Sequence, residues 1–425
     1  MPKVNQNNHN LNIGHVFCLC ILGGLFITVI ALAITRGALW EELFWHDSID
    51  TGMDFFHSIE YVRGRQPYER WQTLYPPLAN LFFYVLYRFV PLEVSTQWTD
   101  TFGDSIAARG TAIDLRVTQS TAILFIFFIL LTCIALLSII QKYIGNEVGG
   151  FVSITTIFSY GVLYAYERGN IIIIVLICSM FFVFFKDSTN KLIAELSLFM
   201  LAIATGMKIY PVFLGFMLLY DKQYGKAVRA VIYGILIFFL PTFAFHEGLG
   251  GLKIFCETLF SYAGAETLVE AAEGFSLTQV LASVALMLQN VFGIGMDERF
   301  LLGLFPKISL CFVLLLLLCG FGIRKKWQKA LLCTVAMALY SYQGDYIVIF
   351  LLIPLLVMLK DERVICKVNC FPFIAIIMTQ IILPVTGDLL GIWNLNDFRM
   401  QICILLCAVY LLKCLFQNIK KNRNS

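Results

Sequence analysis

Charged residues are scarce in this chain of 425 residues: Asp, Glu, Lys and Arg make up 14% of it, while 59% of the residues are hydrophobic. Soluble globular proteins carry about 25% charged and about 45–50% apolar residues, so the composition excludes an ordinary soluble domain. The formal net charge is only +3, and no basic patch with interleaved aromatic residues occurs. A nucleic-acid partner is therefore not expected.

The sequence also lacks the signatures of soluble enzymes. It has no Walker loop, no glycine-rich dinucleotide fingerprint, no nucleophile elbow and no HExxH zinc motif. The 13 cysteines lie mostly inside apolar runs and form no paired CxxC units, so they indicate packing residues. No cofactor is predicted. A divalent metal stays open because of the loop carboxylates, but no ligand spacing indicates one.

Apolar stretches fill most of the chain. Many are about 20 residues long, enough to cross the hydrocarbon core of a membrane. They predict an all-α polytopic integral membrane protein with about 11–13 transmembrane helices, organised as one domain over residues 1–425. The predicted spans lie near 13–35, 74–92, 118–140, 147–166, 170–185, 191–220, 230–246, 301–323, 328–342, 345–359, 369–387 and 398–416.

The loops between these spans are of two kinds. Short basic loops, such as 222–229, 324–329, 360–367 and 420–423, are predicted to face the cytoplasm by the positive-inside rule. The longer loops 36–73 and 247–300 are richer in acidic and aromatic residues and are predicted to be external. Within the second, segment 276–293 has the polar pattern of a helix lying at the membrane surface.

The segment 191–220 permits two interpretations. Pro211 follows Lys208 closely, so the segment either breaks into a hairpin with Lys208 at its outer tip or forms one long helix with Lys208 at mid-depth. With a hairpin, the number of crossings no longer places the basic loops at both ends of the chain on the cytoplasmic side. Another segment, within 93–117 or 147–170, would then have to be re-entrant or doubled.

The first external loop contains the strongest candidates for chemistry. Asp50, Asp54, His57 and Tyr61 have the spacing of residues on one face of a helix. A carboxylate there can accept a proton as a general base. The arginines of the same loop, Arg63, Arg65 and Arg70, can meet phosphate oxygens. The alternative is a solvated, charged interfacial loop without a catalytic role.

Three further places carry ionisable residues at the depth or mouth of the membrane, where charge is costly and often functional. Arg168 and Asn170 lie between two apolar runs, and Arg168 suits a phosphate. Lys208, next to a break in its helix, can present an ammonium group to a phosphate, although snorkelling to the interface is the plainer interpretation. Asp345 is either a pocket residue or the cap of the helix that follows it.

The order of these landmarks resembles glycosyltransferase family 87, within the C-type membrane glycosyltransferase fold. The family pattern runs from an acidic residue in the first external loop, through G-x-x-x-Y, to YPP at the next span; here these are Asp54, Gly64 to Tyr68, and Tyr75-Pro76-Pro77. The later elements are similar to Arg168-Gly169-Asn170, Ala202 to Lys208 with Pro211, Ser276-Leu277, and Ser341 to Tyr346 with Pro354. The chain departs from the pattern where His57 replaces a tyrosine and Asp345 replaces a histidine.

The resemblance implies an inverting enzyme that moves a sugar, typically mannose, from a polyprenyl-phosphate donor to a glycolipid or glycan acceptor. Asp54 looks like the base that deprotonates the acceptor, with Asp50 and Asp47 as fallback bases. Lys208 and Arg168 look like ligands of the donor phosphate, and Arg63 is a further candidate. The residues that resemble a substrate pocket are His57, Tyr61, Tyr68, Tyr75, Asn170 and Asp345.

Two other functions stay open. Helices broken by glycine and proline, with a lysine at mid-depth, suit a transporter or lipid flippase. A polymerase or ligase for surface polysaccharide would also consume lipid-linked sugars. The long acidic loop after the first span favours the transferase. The predicted location is a bacterial plasma membrane with the site facing outward, and an endoplasmic reticulum membrane is the alternative.

Overall fold

Among the residues that the structure describes, the regular structure is helical apart from one pair of two-residue strands. The computed structural model describes residues 12–39, 43, 51–99, 114–262, 265–272, 276–340, 345–362, 364–366, 368–385, 387–389 and 393–423. The fallback bases Asp47 and Asp50 lie outside these residues. The strands β1 (Asp388–Leu389) and β2 (Trp393–Asn394) pair in antiparallel orientation.

The helices of the first half are α1 (Ile13–Ile34), α2 (Met53–Tyr61), α3 (Pro77–Tyr87), α4 (Leu92–Thr99), α5 (Gln119–Ile144), α6 (Asn146–Ile157), α7 (Tyr160–Arg168), α8 (Ile172–Phe185), α9 (Lys191–Met207) and α10 (Phe216–Tyr220). Those of the second half are α11 (Tyr224–Phe239), α12 (Gly248–Tyr262), α13 (Leu268–Ala272), α14 (Leu277–Phe292), α15 (Glu298–Cys319), α16 (Lys326–Tyr340), α17 (Leu352–Glu362), α18 (Cys370–Gln380) and α19 (Leu395–Arg423). Short 3₁₀-helices cover Arg63–Arg65, Tyr210–Gly215, Leu240–Ala244, Gly320–Gly322 and Asp345–Leu351.

Several helices begin where a polar side chain caps the backbone. The Asn12 side chain accepts from the N–H groups of Gly14 and His15 at the start of α1, and Asn190 does the same for α9. Ser276 and Gln279 form a reciprocal capping box at the start of α14. Such caps satisfy the first N–H groups of a helix, which have no partner inside it. The helix starts are therefore specified locally by the sequence.

Within the described part of the chain, five helical segments are long and apolar enough to cross a membrane: Ile13–Ile34, Gln119–Ile144, Tyr224–Ala244, Glu298–Gly322 and Leu395–Asn418. A sixth is formed if α6 and α7, which meet at a bend of 48°, act as one span. These segments confirm the expectation of an all-helical chain of membrane type. The other predicted spans form shorter or broken helices, so the count by length is smaller than the predicted one of about 11–13.

The segment 191–220 forms the hairpin rather than one long helix. α9 ends at Met207, Lys208 adopts an extended conformation (φ −144°, ψ 133°), and a 3₁₀-helix and α10 lead back. The two ends of the hairpin meet, because Lys186, just before α9, pairs with Asp221, just after α10. Lys208 therefore lies at the tip, at the end of the bundle opposite to this ion pair.

The base of the hairpin belongs to a charged cluster that we call the lysine-rich end. Lys186, Lys326 and Lys329 form ion pairs with Asp187 and Asp221, and Lys226 donates to the carbonyl oxygen of Lys186. The Lys186 side chain is fully buried and pairs with both aspartates. Lys329 lies 2.6 Å from Asp221, and Lys326 lies 3.5 Å from Asp187. Each buried ammonium group thus has a carboxylate beside it, as a buried charge requires.

The predicted span at 74–92 is shorter in the structure than a membrane crossing. Its helix α3 has 11 residues, which at 1.5 Å per residue is about 16 Å, half of a hydrocarbon core of about 30 Å. The helices on both sides of it are joined, since the hydroxyl group of Ser95 in α4 donates to Glu60 in α2 at 2.6 Å. The chain therefore turns back after α3.

The two ends of the described chain lie close to each other at one end of the bundle. Asn12 pairs with Val364, next to the Lys325–Glu362 ion pair, and Asn418 donates to the carbonyl oxygen of Gly322. Both ends of the described chain thus lie near the lysine-rich end, which requires an even number of passages. The short α3 is one place where the passage gained by the hairpin can be offset. Residues 100–113 of the expected segment 93–117 lie outside the described part of the chain, and the bent pair α6–α7 within 147–170 is either a broken span or a re-entrant loop.

The two long loops do contain helices, and they contact each other. α2 lies in the first loop, and α12, α13 and α14 lie in the second, where Leu268, Ala282 and Leu286 belong to a small separate hydrophobic cluster. A carboxylate oxygen of Glu247 accepts from the backbone N–H groups of Tyr68 and Glu69 at 2.9 and 2.7 Å. These bonds hold the first loop against the start of the second.

We expect Asp221→Asn to destabilise the protein, because it removes one of the two carboxylates paired with the buried Lys186. The loss should be about 3 kcal/mol in the free energy of unfolding, typical of a broken buried ion pair. The measurement is the thermal transition of the purified protein in detergent. The matched control is Glu195→Gln, which breaks the exposed Arg229–Glu195 pair and should change stability by less than about 1 kcal/mol. Equal effects of the two substitutions would contradict a special role for the cluster.

The lysine-rich end should also give a defined acid sensitivity. Burial by itself raises the pKa of Asp187 and Asp221, but the neighbouring lysines and hydrogen bonds outweigh it and hold both pKa values below the ordinary value. Stability from these carboxylates is therefore present above the unfolded-state pKa of about 4 and lost as the pH falls below it. Thermal transitions measured from neutral to acidic pH should show this loss, and Asp221→Asn should flatten it. An equally steep loss in the variant would assign the acid sensitivity to other groups.

Candidate functional site

A tight turn between α7 and α8 positions two of the predicted site residues. Gly169 ends α7 in the left-handed conformation (φ +67°), and the N–H group of Asn170 donates to the carbonyl oxygen of Ala165 at 2.9 Å. Glycine is favoured at such a helix end because it has no Cβ. The Asn170 side chain then accepts from the N–H group of Ile172 at 2.9 Å, which starts α8. Arg168 and Asn170 are thereby held on either side of one glycine.

Both residues contact Asp54, which lies in the first turn of α2. The amide nitrogen Nδ2 of Asn170 donates to Oδ2 of Asp54 at 2.7 Å, and Nη2 of Arg168 donates to Oδ1 at 3.3 Å. The hydroxyl group of Tyr346 donates to Oδ2 at 2.5 Å and accepts from Nε of Arg168 at 3.1 Å. We call Asp54, Arg168, Asn170 and Tyr346 the Asp54 cluster. It joins α2, the α7–α8 turn and the 3₁₀-helix before α17.

The Asp54 cluster is open enough to meet a ligand. The side chains of Asp54 and Arg168 keep 21% and 15% of their surface exposed. Oδ2 of Asp54 receives two short hydrogen bonds, whereas Oδ1 has the single longer contact to Arg168. Oδ1 is therefore the oxygen that can take a proton from an incoming group.

Lys208 adds a second cation at this end of the bundle. Its ammonium group lies 4.4 Å from the centre of the Tyr75 ring, and the Tyr75 hydroxyl group accepts from Nδ2 of Asn170 at 3.4 Å. Among the described residues, no carboxylate lies within ion-pair distance of Lys208. A cation that is held by a ring face and is not neutralised can meet an anionic ligand.

The remaining predicted residues fall into three groups. His57 and Tyr61 are half-buried on α2, on the same face as Asp54. Tyr68 is buried at 2% exposure and donates to the carbonyl oxygen of Tyr75, so it supports the loop. Arg63 pairs with the fully buried Glu60 at 3.2 Å, outside the Asp54 cluster. Asp345 begins a 3₁₀-helix, but its side chain, like the whole of Asp47 and Asp50, lies outside the described part of the chain.

The sequence pattern points to Asp345 in this segment, whereas the structure brings the next residue, Tyr346, to Asp54. Tyr346 belongs to the late element of the family pattern, but nothing in its local sequence marks it as a partner of Asp54. Its ring also stacks on Tyr164 of α7, with centroids 4.9 Å apart. A tyrosine hydroxyl that is buried or half-buried needs a hydrogen-bond partner. This requirement indicates that Tyr346 has a polar partner, but it does not identify Asp54.

The cluster has few ligands for a metal. No group of three or more histidine, cysteine, aspartate or glutamate side chains suited to a metal ion occurs among the described residues. Asp54 is the carboxylate that the described structure brings to the cluster. Its neighbours are nitrogen donors and hydroxyl groups, which suit a carboxylate and a phosphate better than a cation.

The described residues form a helical protein of membrane type, and the Asp54 cluster and Lys208 lie at the end of the bundle opposite to the lysine-rich end. Comparison with known proteins adds no relative, since no family model, no curated protein and no solved structure matches the chain. The function has to be argued from the pocket itself.

Gly169→Ala should disturb the Asp54 cluster through the backbone. A Cβ at this position would lie 2.7 Å from Cβ of Phe55 and 2.9 Å from Cε2 of Phe125, and φ is positive. We expect a loss of about 1–3 kcal/mol in the free energy of unfolding, measured as a lower thermal transition. Gly150→Ala is the matched control, because nothing lies within 4 Å of its added Cβ. If both variants melt alike, the turn does not need glycine.

Proposed function

We propose that the chain is a glycosyltransferase that takes a sugar from a polyprenyl-phosphate donor and attaches it to a lipid or glycan acceptor at the outer membrane face. The observation that carries the proposal is that one partly exposed carboxylate, Asp54, pairs with Arg168, while a second cation, Lys208, lies on the Tyr75 ring at the same end of the bundle. A base for the acceptor and positive charge for a phosphate leaving group are the two requirements of this reaction.

The reaction would be a single displacement at the anomeric carbon. The acceptor oxygen forms a bond to that carbon while the bond between the carbon and the phosphate oxygen breaks. The proton of the acceptor hydroxyl group passes to Oδ1 of Asp54, and the electron pair of the broken bond stays on the phosphate. One carboxylate suffices for this inverting reaction, in contrast to the pair that a covalent intermediate requires.

The neighbours of Asp54 support the role of a base. Asn170 and Tyr346 both bond to Oδ2, and so they orient the carboxylate without occupying Oδ1. Arg168 contacts Oδ1 at the longer distance of 3.3 Å and also bonds Tyr346. Arg168 can therefore turn toward a donor phosphate while Tyr346 still holds the base in place. Pre-organisation of this kind keeps the reacting groups in position without further cost in the transition state.

The source of the donor follows from the surroundings of the pocket. It lies at broken helix ends of an apolar bundle, where irregular backbone is tolerated because it lines a polar cavity. The sequence has no motif for a bound nucleotide. A donor whose lipid tail lies in the bilayer can reach a site inside an apolar bundle, and it needs no nucleotide-binding motif. The C-type architecture, the preference for a mannose-like hexose and the outward-facing location in a bacterial plasma membrane are parts of the same proposal.

A transporter or lipid flippase is the second candidate. The observation that favours it is the broken hairpin with Lys208 at its tip, a feature of ion and substrate sites in transporters. A carboxylate held ready beside two cations is less expected there. Transport without any change in the donor would distinguish this function from transfer.

The direct test is sugar transfer by the purified protein in nanodiscs from synthetic polyprenyl-phosphate-mannose, with candidate lipid extracts as acceptors. We expect turnover by the wild type and a fall of about a hundredfold or more in kcat for Asp54→Asn, because the base is removed. Asp297→Asn is the matched control, since Asp297 is a helix cap far from the pocket in sequence. Turnover that survives in Asp54→Asn would transfer the role of the base to Asp50 or Asp47.

In the same assay, Lys208→Gln should lower kcat by about a hundredfold if the ammonium group stabilises the leaving phosphate. A higher KM with unchanged kcat would instead assign Lys208 to ground-state binding. No turnover with any of several polyprenyl-phosphate sugars would remove the transferase proposal and lead to transport assays. Consumption of a lipid-linked oligosaccharide in place of the monosaccharide donor would indicate a polymerase or ligase.

A further inference from the structure

A row of rings continues from Asp54 along α2. His57 and Tyr61 follow Asp54 by three and seven residues and so share its helix face. The His57 ring lies 5.8 Å from the Tyr61 ring, and Tyr61 lies 5.4 Å from Trp71. The ring planes within these two pairs are tilted by 36° and 37°, so the three rings lie in sequence with a moderate change of plane from each ring to the next. We call His57, Tyr61 and Trp71 the aromatic row.

The core of the protein does not need these rings for its packing. The opposite face of α2 supplies the buried side chains, since Phe55 and Ile59 are fully buried and Phe56 is 2% exposed. The rings of the aromatic row keep an intermediate exposure. An amphipathic helix places its apolar stripe toward the core, and α2 already does so with its phenylalanines. The row therefore belongs to the surface that leads into the pocket.

The aromatic row is supported by α4, which packs against α2. Trp98 of α4, which is 2% exposed, lies 5.4 Å from the His57 ring. The fully buried Glu60 accepts from Ser95 at 2.6 Å and from Arg63 at 3.2 Å, and this fixes α4 beside α2. Arg63 contributes to this support through its bond to Glu60. A rigid wall binds a ligand with a smaller loss of conformational freedom.

We infer that the aromatic row is a binding subsite for a saccharide acceptor, whose reacting hydroxyl group reaches Asp54 along α2. The inference rests on the proposed transferase function and adds the chemical class of the acceptor to it. The C–H faces of sugar rings pack on aromatic rings, and the spacing of the row is about that of successive sugar units. The His57 nitrogens and the Tyr61 hydroxyl group place polar atoms beside the rings, and these suit the hydroxyl groups of a sugar better than an acyl chain.

The far end of the row favours the same ligand. The guanidinium group of Arg70 lies 4.9 Å from the centre of the Trp71 ring, and Arg70 is exposed. Its N–H donors can reach hydroxyl groups of a sugar that packs on Trp71. An acceptor with several sugar units would therefore contact more of the row than a single sugar does, and affinity should rise with chain length.

The experiment measures binding of linear manno-oligosaccharides, from the mono- to the tetrasaccharide, to the full chain in nanodiscs without donor, with the gluco series in parallel. Calorimetry gives the Kd. We expect affinity to rise up to the trisaccharide and then to level off. Trp71→Ala and Tyr61→Ala should each weaken trisaccharide binding by about threefold to tenfold, and Trp71→Ala should leave monosaccharide binding unchanged. Tyr61→Phe, which keeps the ring, should bind nearly as the wild type does.

The control is Tyr224→Ala, which removes an exposed aromatic ring at the start of α11, in the half of the chain that contributes nothing to the row. An equal loss in Tyr224→Ala, or an affinity independent of chain length, would overturn the subsite. If Trp71→Ala does not fold, the pair Tyr61→Ala and Tyr61→Phe decides the question. Ring-dependent saccharide binding without donor turnover would support the subsite and remove the transferase. Donor turnover together with saccharide binding that does not depend on the rings would support the transferase and overturn the subsite.

Discussion

The Asp54 carboxylate determines how one end of this protein is assembled. A charged group near the apolar part of a membrane protein has to be compensated by hydrogen bonds or by an opposite charge. Asp54 obtains this compensation from Arg168 and Asn170, which are 114 and 116 residues away in sequence, and from Tyr346, which is 292 residues away. These bonds hold the first long loop against the α7–α8 turn and the start of the 3₁₀-helix before α17, which are distant from it in sequence.

All the polar groups of the pocket lie where helices end or break. Arg168 and Asn170 flank the glycine that ends α7, Lys208 occupies the extended break of the hairpin, and Tyr346 lies at the start of a 3₁₀-helix. A continuous helix in an apolar bundle presents its side chains to lipid or to other helices, whereas a helix end frees backbone and side chains to line a cavity. The lysine-rich end complements this arrangement. It holds the base of the hairpin with buried ion pairs. The position of the hairpin in the bundle, and so the position of Lys208 at its tip, depends on these pairs.

The groups around Asp54 form two sets in the structure, one cationic and one aromatic. Lys208, Tyr75 and Arg168 supply positive charge and a ring that holds a cation, features that suit an anionic leaving group. His57, Tyr61 and Trp71 supply flat, half-buried rings along α2, which suit neutral ring-shaped ligands. Asp54 is common to both sets. The proposed transfer from a phosphate-linked donor to an acceptor needs two such surfaces with one base between them.

The sequence by itself determined the features that depend on neighbouring residues. Apolar runs specify the helices, Asn190 and Ser276 mark helix starts, Pro211 marks the break beside Lys208, and the helical spacing of Asp54, His57 and Tyr61 places them on one face. Only the tertiary structure decided which distant side chains meet. Tyr346 rather than Arg63 contacts the cluster, Tyr68 supports the loop, and α3 is too short to cross. The physical reason is that periodicity and caps report the local backbone, whereas hydrogen bonds between side chains far apart in sequence depend on how the helices pack.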